Sequence, residues 1–150
     1  MNTKSKGNVG EAFILAEFTK YGVQCSLPWG DNARYDLIAE FNGKLNKIQI
    51  KYCDSISEND SYNCTLVSST NHTTNKKLHG YDNDVDYMAF YIERLNKCLL
   101  VPIKFCKGMT CIRFRCSPTK NNQKKGINLV DDFTFDKILC VETLHDQPKP

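Results

Sequence analysis

Apolar positions recur along the chain in two rhythms. From Gly7 to Tyr21 the spacing is helical: Val9, Phe13 and Ala16 share a stripe that runs on to Lys20, and Ala12, Leu15 and Phe18 widen it. The unbroken apolar run from Ala12 to Ala16 predicts a helix buried on more than one side. Gly22 stands where a left-handed C-terminal cap is expected. Glu11 falls in the first turn of this helix, where a carboxylate meets the positive end of the helix dipole. A short strand from Val23 to Ser26 stops before Pro28, and residues 28–33 read as a loop in which Trp29 is a packing residue.

The period then changes to two. Arg34 to Phe41 and Lys44 to Tyr52 alternate apolar and polar residues on either side of Asn42-Gly43, the dipeptide that most favours a two-residue hairpin turn. That turn sets Asp36 across from Gln49, Arg34 across from Lys51, Tyr35 across from Ile50 and Leu37 across from Ile48. Asp36, Gln49 and Lys51 then share one face, and the bulky apolar residues line the other. Phosphodiester hydrolysis needs a metal on hard oxygen ligands and a group that orients water or stabilises the developing charge. Asp36 and Lys51, with Glu11 brought in by a packed helix, hold those parts. The bare spacing equally describes a solvated acid–lysine pair across two strands.

Residues 55–86 are polar and predict one strand, Tyr62 to Val67, followed by a loop or short helix from Thr70 to Asp84. Strands are predicted at Tyr87–Ile92 and Cys98–Ile103, joined by a turn at Leu95–Lys97. Met109–Cys116 alternates again, with Arg113 and Arg115 on one face and Ile112 and Phe114 on the other. Ser117–Gly126 is a basic loop carrying Lys120, Lys124 and Lys125, Asp131–Phe135 opens a last short element, and Gln147–Pro150 is a frayed tail.

A chain of 150 residues, 41% hydrophobic and 25% charged, is ordinary for one globular domain, which excludes a disordered or collagen-like chain. Its apolar runs fall short of a membrane span, and the start lacks the apolar stretch of a secretion signal, so a cytoplasmic protein is expected. The net charge of +3 is unevenly spread: residues 94–130 hold nine bases and no acid. That segregation points to a polyanion, or else to a solvated edge guarded against aggregation. In a reducing compartment the eight cysteines, which form no C-x-x-C pair, are expected to be free and mostly buried thiols rather than zinc ligands.

Lys6-Gly-Asn-Val-Gly-Glu11, Gly30-Asp-Asn-Ala-Arg-Tyr-Asp-Leu37 and Gln49-Ile-Lys51, in this order, resemble the PD-(D/E)xK nuclease superfamily. More narrowly they are similar to the bacterial group I intron-encoded homing endonucleases built on that core. Val85-Asp-Tyr, Leu99-Leu-Val-Pro-Ile103 and Lys120-Asn-Asn-Gln-Lys-Lys125 extend the likeness over roughly residues 6 to 135. The resemblance implies that Asp36 is the central metal-ligating acid, that Glu11 binds metal directly or through water, that the Ile50 carbonyl is a further ligand, and that Lys51 is catalytic. Gln49 stands where the pattern has Asp or Glu, which removes one charge from the site, and Tyr35 stands where the superfamily has Pro.

The expected fold is α/β with a restriction-endonuclease-like core, a helix plus a mixed central sheet extended by antiparallel strands, with a basic β extension at about 104–130. The expected function is magnesium-dependent, site-specific cleavage of double-stranded DNA in intron homing, with manganese able to substitute. One site cuts one strand, so a homodimer at least follows, and the resemblance allows a tetramer. Arg113 and Arg115 have the geometry for guanine contacts in a major groove, or for phosphate contacts. Lys76 and Lys77 are expected on the DNA backbone, Ser68, Ser69 and Asn71 near bases, and Lys120, Lys124 and Lys125 along the duplex. The alternatives are a junction-resolving or restriction nuclease of the same superfamily, or a DNA-binding module whose site has decayed.

Overall fold

Tyr87–Ile92 is six apolar or aromatic residues in a row, the signature of a strand covered on both faces, and the rest of the structure is built around it. The computed structural model describes residues 1–57, 60–70 and 77–143, and within these ranges not the side chains of residues 69, 70, 77 and 140–143. Asn71 and Lys76 therefore lie outside the described residues, as do the side chains of Ser69 and Lys77 and the tail from Gln147. Helix α1 (Thr3–Lys20) leads to β1 (Gln24–Ser26), then to the hairpin β2 (Leu37–Phe41) and β3 (Lys44–Cys53). Next come β4 (Ile56–Ser57), β5 (Ser61–Thr65), β6 (Ser68–Thr70) and β7 (Lys77–His79). β8 (Tyr87–Ile92), β9 (Lys97–Pro102), β10 (Cys111–Arg115), β11 (Asn128–Leu129) and helix α2 (Phe135–Thr143) complete the order.

The main sheet runs β1-β2-β3-β8-β9; β3 and β8 are parallel and the other pairs antiparallel. A second sheet, β11-β10-β5-β4, and the hairpin β6-β7 supply the added strands, so the mixed α/β core with β extensions is the observed fold. Ala89 and Leu100 face one core with Ile14, Phe18, Ile48, Ile50, Phe135 and Leu139. Met88, Phe90 and Ile92 face another with Tyr62, Ile112, Phe114 and Phe133, under the second sheet.

Several expectations from the pattern are corrected. Helix α1 starts four residues early, because Asn2 caps it: its side-chain oxygen accepts the Ser5 N–H at 2.8 Å. No acid then occupies the first turn, and Glu11 lies more than two turns inside the helix, so the dipole does not explain it. The helix is buried on one narrow stripe, Gly10, Ile14 and Phe18, spaced by four, while Ala12 and Ala16 stay exposed and Phe13 is only part-covered, stacked on Tyr91. Trp29 packs on nothing among the described residues; it is fully exposed. Residues 77–79 form a strand where a loop or helix was expected, and α2 extends well past Phe135, holding Phe135 against Phe18 at 4.8 Å between ring centres. Cys53 and Cys64 are joined as a disulfide between β3 and β5, so the thiols are not all free. Burial pushes the Cys98 and Cys106 thiols up to about 12, which keeps them protonated at neutral pH.

Gly10 rests on β3, where a methyl group would meet Tyr52 Cβ at 3.5 Å, an ordinary contact. Gly10→Ala is therefore expected to be neutral or stabilising by up to about 1 kcal/mol through helix propensity. Gly10→Leu is expected to cost about 1–3 kcal/mol by overpacking. Urea unfolding midpoints of the two variants check the difference.

Candidate active site

The β2–β3 ladder runs from Phe41–Lys44 to Leu37–Ile48 and then stops. Asp36, the next residue, is held by both its ends. Its backbone N–H donates to the Ile48 carbonyl at 2.8 Å. Its carboxylate then accepts the Ile50 N–H at 2.7 Å and the Gln49 side-chain amide at 2.6 Å. A side chain thus takes the place of the next rung. The N–H and C=O of one residue leave a strand on the same side, so the Ile50 carbonyl also faces this flank, where Gln49 Nε2 approaches it at 3.4 Å.

Freed from the ladder, Tyr35 and Arg34 do not take the cross-strand places expected for them. Tyr35 packs with the core under the second sheet. Arg34 donates to Asp84 at 2.7 Å and to the Gly80 carbonyl at 2.6 Å, and lies 5.0 Å over the Tyr81 ring. Lys51 reaches the same ring from its own strand: Nζ donates to the Tyr81 hydroxyl at 3.1 Å and stands 4.8 Å from the ring centre. Tyr81 therefore fixes both cations through one buried aromatic.

Glu11 completes the set from α1. It and Asp36 line a cleft of about 350 Å³ whose other wall is the 27–35 loop, including Asp31. A smaller hollow of about 210 Å³, lined by Ala12, Leu15, Leu37 and Ile50, opens beside the same two carboxylates. Burial pushes the Asp36 carboxyl above its ordinary value, against the opposing pull of the Ile50 N–H, the Lys51 charge and the Gln49 amide. Burial also raises Glu11, and the neighbouring Asp36 charge adds to it. Both acids are thus uncomfortable when ionised, and a cation in the cleft would relieve both.

The donor set fits a hard divalent ion. Glu11, Asp36 and the Ile50 carbonyl offer oxygens only, and among the described residues no group of three or more His, Cys, Asp or Glu forms a closed cage. Magnesium is commonly held this way, by one or two carboxylates, with waters and substrate oxygens filling the remainder. Gln49 brings no charge; it serves here as a donor that orients Asp36.

Of the residues expected on DNA that are described, Arg113 and Arg115 lie on the second sheet, Lys120, Lys124 and Lys125 on the loop that follows, and Ser68, Ser69 and Lys77 on the β6–β7 hairpin. Ile112 and Phe114 are buried and Arg113 is exposed, as the alternation predicts, while Arg115 is half-buried. Arg113 Nε donates to Asn63 at 2.9 Å across the strand pair. Lys120, Lys124 and Lys125 project from an exposed loop, and the Ser68 hydroxyl faces the His79 carbonyl at 3.5 Å. Sequence reasoning missed Tyr81 and the Arg34–Asp84 pair. The only sign of either was a lone tyrosine in a polar stretch, since their contacts span 30 and 50 residues.

The structure thus sets a helix carboxylate, Glu11, near an acid at a broken hairpin rung, Asp36, with Lys51 two residues on from the glutamine that faces it. A family model described as PD-(D/E)XK endonuclease matches residues 1–136, and the chain belongs to that family. Among solved structures it is similar to a bacterial homing endonuclease, I-Ssp6803I, with a TM-score of 0.78, 20% identity and all of both chains covered. At that identity the likeness is one of fold. No curated protein matches the chain.

Because Asp36 and Glu11 bind protons more tightly folded than unfolded, the metal-free protein loses stability as pH rises from the ordinary carboxylate range near 4 through their raised values, and the loss persists at neutral pH. Asp36→Asn keeps an acceptor for the Ile50 N–H and removes one charge. It is expected to raise the melting temperature at pH 7 without divalent ions by a few degrees, about 1 kcal/mol at this chain length. It is also expected to flatten the pH dependence, as thermal melts between acid and neutral pH would show.

Proposed function

We propose that the chain is a magnesium-dependent endonuclease that cuts double-stranded DNA at specific sites in intron homing, acting in the cytoplasm as a homodimer at least. The observation that carries this reading is the pairing of Asp36 with Glu11 on one cleft, with Ile50 on the adjoining hollow and Lys51, whose charge acts on Asp36, held by Tyr81. The family supports an endonuclease, and the basic stretch from 94 to 130 supports a DNA substrate.

Glu11, Asp36 and the Ile50 carbonyl would hold the ion, which when bound supplies charge for the phosphoryl oxygens and a more acidic water; manganese has similar ligand preferences. Gln49 holds the Asp36 carboxylate turned toward the cleft. Lys51 sets a positive charge beside the cleft, where it orients the attacking water and stabilises negative charge as the phosphate becomes pentacoordinate. The Tyr81 hydroxyl and ring limit the positions Lys51 can take, so less order has to be gained on the way to the transition state. Arg113, Arg115, Lys120, Lys124 and Lys125 hold the flanking duplex, mostly through phosphates, and Ser68, Ser69, Asn71, Lys76 and Lys77 are further candidates for DNA contact.

Plasmid carrying the target is expected to be cut only with magnesium or manganese and not in chelator. Lys51→Ala is expected to lower the single-turnover rate by about 10²–10⁴-fold, with DNA affinity little changed. Tight, salt-sensitive binding without cleavage by the unaltered chain would instead favour a binding module, and preference for a branched junction would favour a resolvase.

A further inference from the structure

The 27–35 loop carries the most exposed large apolar side chains near the cleft: Trp29 is 104% exposed and Leu27 68%. Trp29 is the chain's sole tryptophan and makes no ring contact among the described residues. Exposing an indole and an isobutyl group side by side forgoes burial that most folds would take. The loop does not present them by slack. Pro28 limits the backbone between them, Gly30 turns it with φ of +82°, and Arg34 ties the far end to Asp84 and Gly80.

The same loop forms a wall of the carboxylate cleft, with Leu27 lining both of its hollows. Whatever covers this apolar knob therefore sits at the mouth of the cleft. A second copy of the chain seated there would roof over Asp36 and Glu11 and shut out the substrate. The occupant consistent with an open cleft is the substrate itself.

We propose that Leu27 and Trp29 form a wedge that enters a groove of the duplex beside the phosphate to be cut, packing on sugars and base edges. This inference rests on the DNA-cleavage reading and adds to it a positioning contact that neither charge nor the carboxylate site supplies. Apolar side chains are used in this way to widen or kink duplex steps. Held on a pinned loop, the indole gives up little freedom on binding, so the contact sets the phosphate against Asp36 rather than merely adding affinity.

The test uses the full chain with Lys51→Ala, which permits binding without cutting, and a duplex selected by that chain from a random-sequence library. Trp29 is the only tryptophan emitter, so its fluorescence reports the contact directly. The expected result is quenching or a blue shift of the indole emission that saturates with the same midpoint as anisotropy of the labelled duplex. In the otherwise unaltered chain, Trp29→Ala is expected to weaken binding about 10-fold and to slow single-turnover cleavage at saturating protein, with Trp29→Phe restoring most of both. Binding by anisotropy with unchanged emission, or full activity of Trp29→Ala, overturns the inference while leaving the nuclease reading intact. Emission that shifts with protein concentration alone assigns the knob to a subunit contact and also overturns it. Retention of no duplex overturns the reading and the inference together.

Discussion

One hydrogen bond organises the site: the Asp36 carboxylate on the Ile50 N–H. An antiparallel hairpin left to itself would continue its ladder, and Arg34, Tyr35 and Asp36 would alternate beside β3 with their backbones spent on rungs. By substituting its side chain for a rung, Asp36 ends the pairing, frees the Ile50 carbonyl, and sends residues 27–35 outward as a separate wall. Strand termination, the turn of the carboxylate and the cleft are consequences of one carboxylate replacing one peptide group. The arrangement costs desolvation of that carboxylate, visible in its raised affinity for a proton.

The surrounding fold exists to hold that interrupted hairpin still. β8 pairs with β3 from Ile48 to Cys53, so the rung next to Asp36 is fastened on its other edge by a strand buried on both faces. α1 lies across the apolar side of the same strand, and the spacing of Gly10 and Ile14 sets how close it comes. Glu11 adjoins that buried stripe, so its place at the cleft is set by core packing.

The hairpin was legible from residues alone, because Asn42-Gly43 and the alternation on either side leave one sensible register. β8 and β9 were legible as short apolar runs on either side of a turn, and β10 by its alternation. What the pattern hid were features decided by tertiary contact or by a single cap. Asn2 lengthens α1 and so moves Glu11 out of the first turn. Tyr81, in a stretch without periodicity, becomes a core residue because two distant cations close on it. Trp29, a residue type that is usually buried, is held out by a loop that returns to the sheet through Arg34. Of the site, the acid–glutamine–lysine triplet followed from register, whereas the hold of Tyr81 on Lys51 did not.

The parallel pairing of β3 with β8 has a consequence for when the cleft and its surroundings are complete. The hairpin from Asp36 to Lys51 is local and can form as soon as those residues exist, but β8 must close a loop of about 39 residues to meet it. Tyr81 arrives with that same closure, since it lies just ahead of β8. A chain still being synthesised, or one partly folded, thus carries the acids without the braced lysine. The arrangement around Lys51 is completed only when the least local contact in the main sheet is made.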